Sequence, residues 1–322
     1  MRPSSSYWSS FLIGLMALLS MSALVGCGGS TSSSRTPEPT TAVGPSPCGS
    51  AATPPTAYHH IVVVMQENRT WSKVGGVGFA DPAMPYLHAL AQQCTTFADW
   101  SETNASQNSL TQYVGLTSGA NNPSTVNDCT PSATCGSTDD NIFRQVRMSG
   151  GTTVSYVEGA TGACSVAGNA AKHVPAMYFS GRYLDAAGVG HQDQDFCSAE
   201  VRPLTELDAD HLPTFAMITP NLCHDGHDCA NDQVDVFAQT WVAKILAGTN
   251  YAAGDTAVMV IYDEDRPMPN LIMAPTATPG VNSAAGAGHA ALLKTWEQML
   301  GLPELAQDSV RQAASLRGSA HL

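Results

Sequence analysis

Positive charge is scarce in this chain. Its 322 residues set 14 Lys and Arg against 27 Asp and Glu, for a formal net charge of −13. A surface of that sign does not draw nucleic acid or anionic lipid by charge, so no nucleic-acid partner is expected. Long apolar runs are missing too. The longest, residues 11–19 (FLIGLMALL), falls well short of the roughly 20 residues that cross a bilayer. No G-x-S-x-G occurs, which argues against a metal-free Ser-His-Asp ester hydrolase. No C-x-x-C occurs, which argues against a thiolate zinc site. No internal repeat is visible.

The short apolar run has the length of a signal peptide, with Arg2 before it and Leu24-Val25-Gly26-Cys27 after it. Small residues directly before a cysteine read as a lipobox. Residues 1–26 are then expected to be a lipoprotein signal peptide, and Cys27 the acylated first residue of an exported, membrane-anchored protein. The stretch that follows is Ser, Thr, Pro and Gly with almost no large apolar side chains, so residues 27–57 are expected to be a tether. A domain over 58–305 and a C-terminal tail over 306–322 complete the division.

Setting Cys27 aside leaves eight of the nine cysteines, an even number in an exported chain. Cys129 with Cys135 and Cys223 with Cys229 are close enough to staple local loops. The pairs Cys164–Cys197 and Cys48–Cys94 use up the rest.

Residues 61–65 form a short continuous apolar run, as does a strand buried on both faces, and similar runs stand at 214–218, 257–262 and 271–274. A weaker one covers 152–157. Between them Val234, Phe237, Ala238, Trp241, Val242 and Ile245 fall at helical spacing, as do Leu292, Leu293, Trp296, Met299 and Leu300. The alternation predicts an α/β fold, a largely parallel sheet with helices on both faces. Residues 119–212, rich in Gly, Ser, Asp and Cys, read as inserted loops.

In such sheets the ligand site lies beyond the carboxyl ends of the strands. The first strand runs into Glu67 and Asn68, and the strand ending at Tyr262 runs into Asp263 and Glu264. Their oxygens suit a divalent cation. Asp225 and His227 follow a third strand, inside the loop closed by Cys223 and Cys229. Singly, each of these also reads as a cap or a solvated turn; together they converge on one edge. Ser109 begins an apolar helical pattern, where main-chain N–H groups favour an anion such as phosphate, although an ordinary helix cap has the same appearance.

Several segments resemble the bacterial phosphoesterase family of acid phosphatases and phospholipases C. Residues 65–70, Met-Gln-Glu-Asn-Arg-Thr, resemble its M-Q-E-N-R-S motif. Ser109-Leu110-Thr111-Gln112-Tyr113, followed by 116–119, is similar to its S-L-P-N-Y…L-T-S-G block, and 219–229 to T-P-N-L-C-N-D-M-H-D-C. Asp263 and Glu264 match an acidic pair, and 274–303 resembles the closing segments. The resemblance implies an alkaline-phosphatase-like fold. It implies a divalent metal held by Glu67, Asn68, Asp263 and Glu264, with Ser109 as nucleophile. His227 and His289 would bind metal or phosphate or move protons. Gln112, Asp225 and His173 would lie on the substrate, His173 in a Lys-His stretch like the family's K-H-N-P. Where the family has Pro-Asn, this chain has Thr111-Gln112, whose amide donor is one methylene further out.

The expected function is hydrolysis of phosphate esters by an acid phosphatase, in a monomer. Phospholipase C activity on phosphodiesters is the alternative, and a surface lipoprotein with weakened catalysis is the alternative from another class. Oxygen ligands suit Ca, Mg or Mn, and the histidines suit Zn or Fe.

Overall fold

The run from residue 61 to 65 is apolar because nothing polar faces it on either side. In the computed structural model of the chain, β1 (His60–Gln66) is buried from Ile61 onward and lies between two parallel neighbours, β7 (Phe215–Thr219) and β8 (Thr256–Tyr262). The structure describes residues 46–103, 108–165, 168–184, 187–193, 197–282 and 286–322. Cys27, the expected signal peptide and most of the expected tether lie outside them.

The other strands are β2 (Thr95–Phe97), β3 (Thr153–Val157), β4 (Arg182–Leu184), β5 (Gly190–Gln192), β6 (Val201–Pro203), β9 (Leu271–Met273) and β10 (Gly280–Asn282). Eight of the strands form one sheet in the order β10-β2-β9-β8-β1-β7-β3-β6, and β4 and β5 form a separate hairpin. The run from β8 to β6 is parallel throughout; β9 is antiparallel to β8 and to β2. The expected strands at 61–65, 214–218, 257–262, 271–274 and 152–157 are all present. The stretch 119–212 is more than loops: besides the expected strand β3 it supplies β6 at one side of the sheet.

The helices that matter here are α1 (Pro85–Gln93), α2 (Ser109–Ser118), α3 (Ile142–Met148), α4 (Asn231–Leu246) and α5 (His289–Met299). Residues 259 and 262 of β8 point to opposite faces, because side chains alternate along a strand. Met259 accepts a hydrogen bond from Trp296 of α5, and Trp296 also packs on Phe215. Tyr262, on the other face, lies against Phe79 and near Asp235 of α4. Helices therefore cover both faces. The Asp235 carboxylate is buried and accepts the N–H groups of Tyr86 and Leu87, so α4 caps the first turn of α1 from outside that helix.

Helix α2 is buried along its whole length, its Ser, Thr and Gln side chains included. It can be, because Thr117 Oγ1 and Ser118 Oγ donate back to the carbonyls of Tyr113 and Val114. Gly115 lets Thr103 approach: a Cβ there would stand 2.3 Å from the Thr103 side chain. Gly119 closes the helix at φ 71°, its N–H on the Gly115 carbonyl. The segment after Leu305 packs onto the body through buried Val310, Leu316, Ala320 and Leu322.

All four expected disulfides are present: Cys48–Cys94, Cys129–Cys135, Cys164–Cys197 and Cys223–Cys229. Bridges of this number belong to an oxidising compartment and mark an exported chain. Among the described residues, no helix is long and apolar enough to cross a membrane.

Candidate active site

Register alone brings the first two carboxylates together. Gln66 pairs with Tyr262 in the β1–β8 ladder, and the Asp263 N–H continues it by donating to the Gln66 carbonyl at 3.1 Å. Glu67 and Asp263 therefore leave the sheet side by side, both fully buried. Glu264 is half-buried beside them, and ligand oxygens of the three lie within 4.8 Å of one another. Asn68 turns through the left-handed region at φ 48°, which Asn tolerates, and its N–H donates to Asp263 Oδ1 at 3.2 Å.

Ser109 is the first residue of α2, with Asn108 as cap. Its hydroxyl donates to Glu67 Oε2 at 3.0 Å, so the helix N-terminus is docked onto the carboxylate cluster. Asp128 accepts the Leu110 N–H at 3.1 Å and pairs with Lys172 at 3.2 Å. Gln112, one turn further on, accepts the Thr103 N–H at 3.0 Å through its carboxamide oxygen, which fixes the side chain where the family motif has Asn.

His173 is buried between two acids. Its ring nitrogens stand 3.2 Å from Glu67 Oε1 and 3.4 Å from Asp225 Oδ2, close approaches without hydrogen-bond alignment, and its face stacks on Tyr113 with centroids 5.1 Å apart. Burial pushes its pKa down, partly offset by Asp225, which leaves a neutral ring. Asp225 ties the disulfide loop to the cluster: its carbonyl accepts the Glu67 N–H at 2.8 Å and its carboxylate the His227 N–H at 2.8 Å. The His227 ring lies 6.5 Å from that of His173, partly exposed, with Nδ1 on Asp228. His289 is buried at the start of α5. Its Nε2 faces the Tyr262 carbonyl at 3.3 Å, its Nδ1 stands 3.4 Å from Thr103 Oγ1, and burial lowers its pKa to about 4. It braces the end of β8 and stays neutral.

The carboxylates are held under strain. Burial raises the pKa of Glu67 well above its ordinary value, and Asp263 and Asp225 raise it further. Asp263 is raised likewise by burial and then by Glu264. Glu264 is pushed to about 7 by burial, with Asp265 and Asp128 adding to the shift. Glu67 Oε1, Asn68 Oδ1 and Asp263 Oδ2 are buried without hydrogen-bond partners. Orphaned acceptors of this kind, gathered at one point, fit a divalent cation as their missing partner.

The residues named from the sequence, Glu67, Asn68, Asp263, Glu264, Ser109, Gln112, His173, Asp225, His227 and His289, stand at or against this edge. Tyr113, the stacking partner of His173, and Asp128, in the stretch read as loops, are not among them. The one sequence cue to Asp128 is its place directly before the Cys129–Cys135 staple.

The model of the Phosphoesterase family matches residues 77–286. A phosphatidylinositol-3-phosphatase of Mycobacterium tuberculosis is 28% identical over 270 residues, covering 80% of this chain and 81% of that protein. Among solved structures, the protein Ps i-CgsB superposes with a TM-score of 0.50 at 10% identity, covering 80% of this chain and 75% of its own. A Vibrio parahaemolyticus protein of the alkaline phosphatase superfamily gives 0.46 at 13% identity, covering 80% and 70%.

Proposed function

The chain belongs to the phosphoesterase family, and from that premise we propose that it is a phosphomonoesterase of the acid-phosphatase type, with Ser109 as nucleophile and a divalent cation held by Glu67, Asn68, Asp263 and Glu264. Membership makes phosphate-ester hydrolysis its reaction. The observation that carries the finer reading is the Ser109 hydroxyl donating to Glu67 at the edge of three gathered carboxylates. The relative named as a phosphatase supports monoesters over phosphodiesters. The unpartnered atoms of Glu67, Asn68 and Asp263 are oxygens, which suit calcium, magnesium or manganese, and the unpartnered ring nitrogens of His173 beside Glu67 would suit zinc or iron.

A divalent cation held by Glu67, Asn68, Asp263 and Glu264 would supply positive charge to offset that of the transferring phosphoryl group. Ser109 Oγ attacks phosphorus in line; its bond to phosphorus forms as the ester oxygen departs, and water then hydrolyses the phosphoserine, releasing phosphate and restoring the hydroxyl. Glu67 Oε2, already the acceptor of the Ser109 proton, is the atom aligned to take it. His227, at the partly exposed side and oriented by Asp228, is assigned to give a proton to the leaving oxygen. His173 and Asp225 position Glu67 and its loop, and Gln112 stands on the helix face below the nucleophile. The export signal and lipid anchor on Cys27 would place this activity on the outer side of a membrane.

The test is p-nitrophenol release by the purified protein from p-nitrophenyl phosphate and p-nitrophenyl phosphorylcholine, with and without EDTA, beside Ser109→Ala. Turnover of the monoester abolished by both treatments is expected. Preference for the phosphorylcholine diester would shift the assignment to a phospholipase C, and turnover that survives Ser109→Ala would refute the nucleophile.

A further inference from the structure

Ser109 and Tyr113 stand one turn apart on α2, so their side chains leave the same face of the helix. That face looks onto Glu67. The Ser109 hydroxyl donates to Glu67 Oε2, and the Tyr113 ring carries the His173 ring stacked on it, centroids 5.1 Å apart and planes 16° from parallel. In that stack His173 Nε2 stands 3.2 Å from Glu67 Oε1. The Tyr113 hydroxyl reaches the same carboxylate. It is fully buried and has no aligned hydrogen-bond partner, and Glu67 Oε1 has none either.

Stacking on His173 needs only the ring, which a phenylalanine would supply without burying an O–H that lacks an acceptor. None of the steps assigned to Ser109, Glu67 and His227 uses that O–H. Its nearest employment is at Glu67. A carboxylate offers about four acceptor positions, so Glu67 can take the hydroxyls of Ser109 and Tyr113 and still present a lone pair to a cation. Hydrogen bonds from behind fix the rotation of a ligand carboxylate, and losing one commonly weakens metal binding by roughly 10–100-fold.

We infer that Tyr113 is a positioning residue for the cation: its hydroxyl donates to Glu67 and holds that carboxylate turned toward Asp263 and Glu264. The inference rests on the cation site proposed above.

Tyr113→Phe removes the hydroxyl and keeps the ring that stacks on His173. Manganese binding to the EDTA-stripped protein, followed by calorimetry, should weaken about tenfold in the variant. About tenfold more manganese should then be needed for the same rise in Tm. In EDTA the variant should melt at or above the parent, because an unpaired buried hydroxyl has gone. A purely structural part in packing would show the opposite pattern, a Tm lowered equally with and without cation and an unchanged Kd. Manganese affinity within about twofold of the parent's, well short of the loss expected for such a hydrogen bond, would overturn the assignment, as would a variant that melts well below the parent in EDTA. A parent protein that binds neither manganese nor calcium would instead refute the cation site itself, and the inference with it.

Discussion

Replacing Asp263 by Asn should make the cation-free protein more stable and the cation-loaded protein inert. Asp263 is fully buried, burial and then Glu264 raise its pKa, and its Oδ2 has no hydrogen-bond partner. Asn keeps the Oδ1 that accepts the Asn68 N–H and puts a neutral donor in place of the orphaned oxygen, next to carboxylates that can accept. Removing one uncompensated buried charge of this kind gains about 1–3 kcal/mol. The parent protein should instead gain stability from the cation itself, about 2.7 kcal/mol at a hundredfold excess over Kd. For a domain of this size that is a rise in Tm of about 5–10 °C. The assay is thermal unfolding of both proteins in EDTA and then across a titration of manganese or calcium. Asp263→Asn should melt above the parent in EDTA and show no cation-dependent rise. A variant that melts below the parent in EDTA, or keeps the full rise, would refute the argument that the cluster is a strained cation site.

Three further outcomes follow from the same physics. Burial raises Glu297 to about 7, while its Oε1 accepts the Leu305 N–H and its Oε2 lacks a partner. An acid whose folded pKa is raised stabilises the fold below its ordinary pKa near 4.5 and loses that contribution as pH rises through 7. Glu297→Gln should therefore unfold at higher urea than the parent at pH 8 and at nearly the same urea at pH 5, measured with saturating cation. Arg147 pairs with buried Asp193 and Glu200, so Arg147→Met should cost about 3–5 kcal/mol in denaturant unfolding by leaving two buried acids short of a partner. Asp235→Ala should cost about 1–3 kcal/mol by uncapping Tyr86 and Leu87, with activity retained once the protein is folded.

Much of the framework was legible because its strands are buried on both faces. The apolar runs at 61–65 and 257–262 admit few other readings, and the acids that end them fall together as soon as the two strands are neighbours. Order in space is another matter. Nothing in the sequence says that β1 lies between β7 and β8, or that β9 turns antiparallel, since these depend on contacts between distant segments. The region 119–212 was misjudged for a related reason: Val201–Pro203 is too short to carry a periodic signal, yet it pairs with β3. From its place before an apolar pattern Ser109 reads as an ordinary helix cap, and only the family resemblance singles it out. Asp128 has no such cue, because an acid in a loop acquires meaning only when the loop folds over the α2 N-terminus. Spacing points to Cys129–Cys135 and Cys223–Cys229, nothing in the sequence decides how the other four cysteines pair, and the structure has all four expected bridges.

The central claim is a covalent one, and the most direct measurement is mass spectrometry of the protein quenched in acid during turnover of p-nitrophenyl phosphate. The account predicts one phosphoryl group on the peptide that contains Ser109, present only with divalent cation and absent from Ser109→Ala. A phosphoryl group on another residue, or full turnover with Ser109 never modified in quenches fast enough to catch the intermediate, would contradict it.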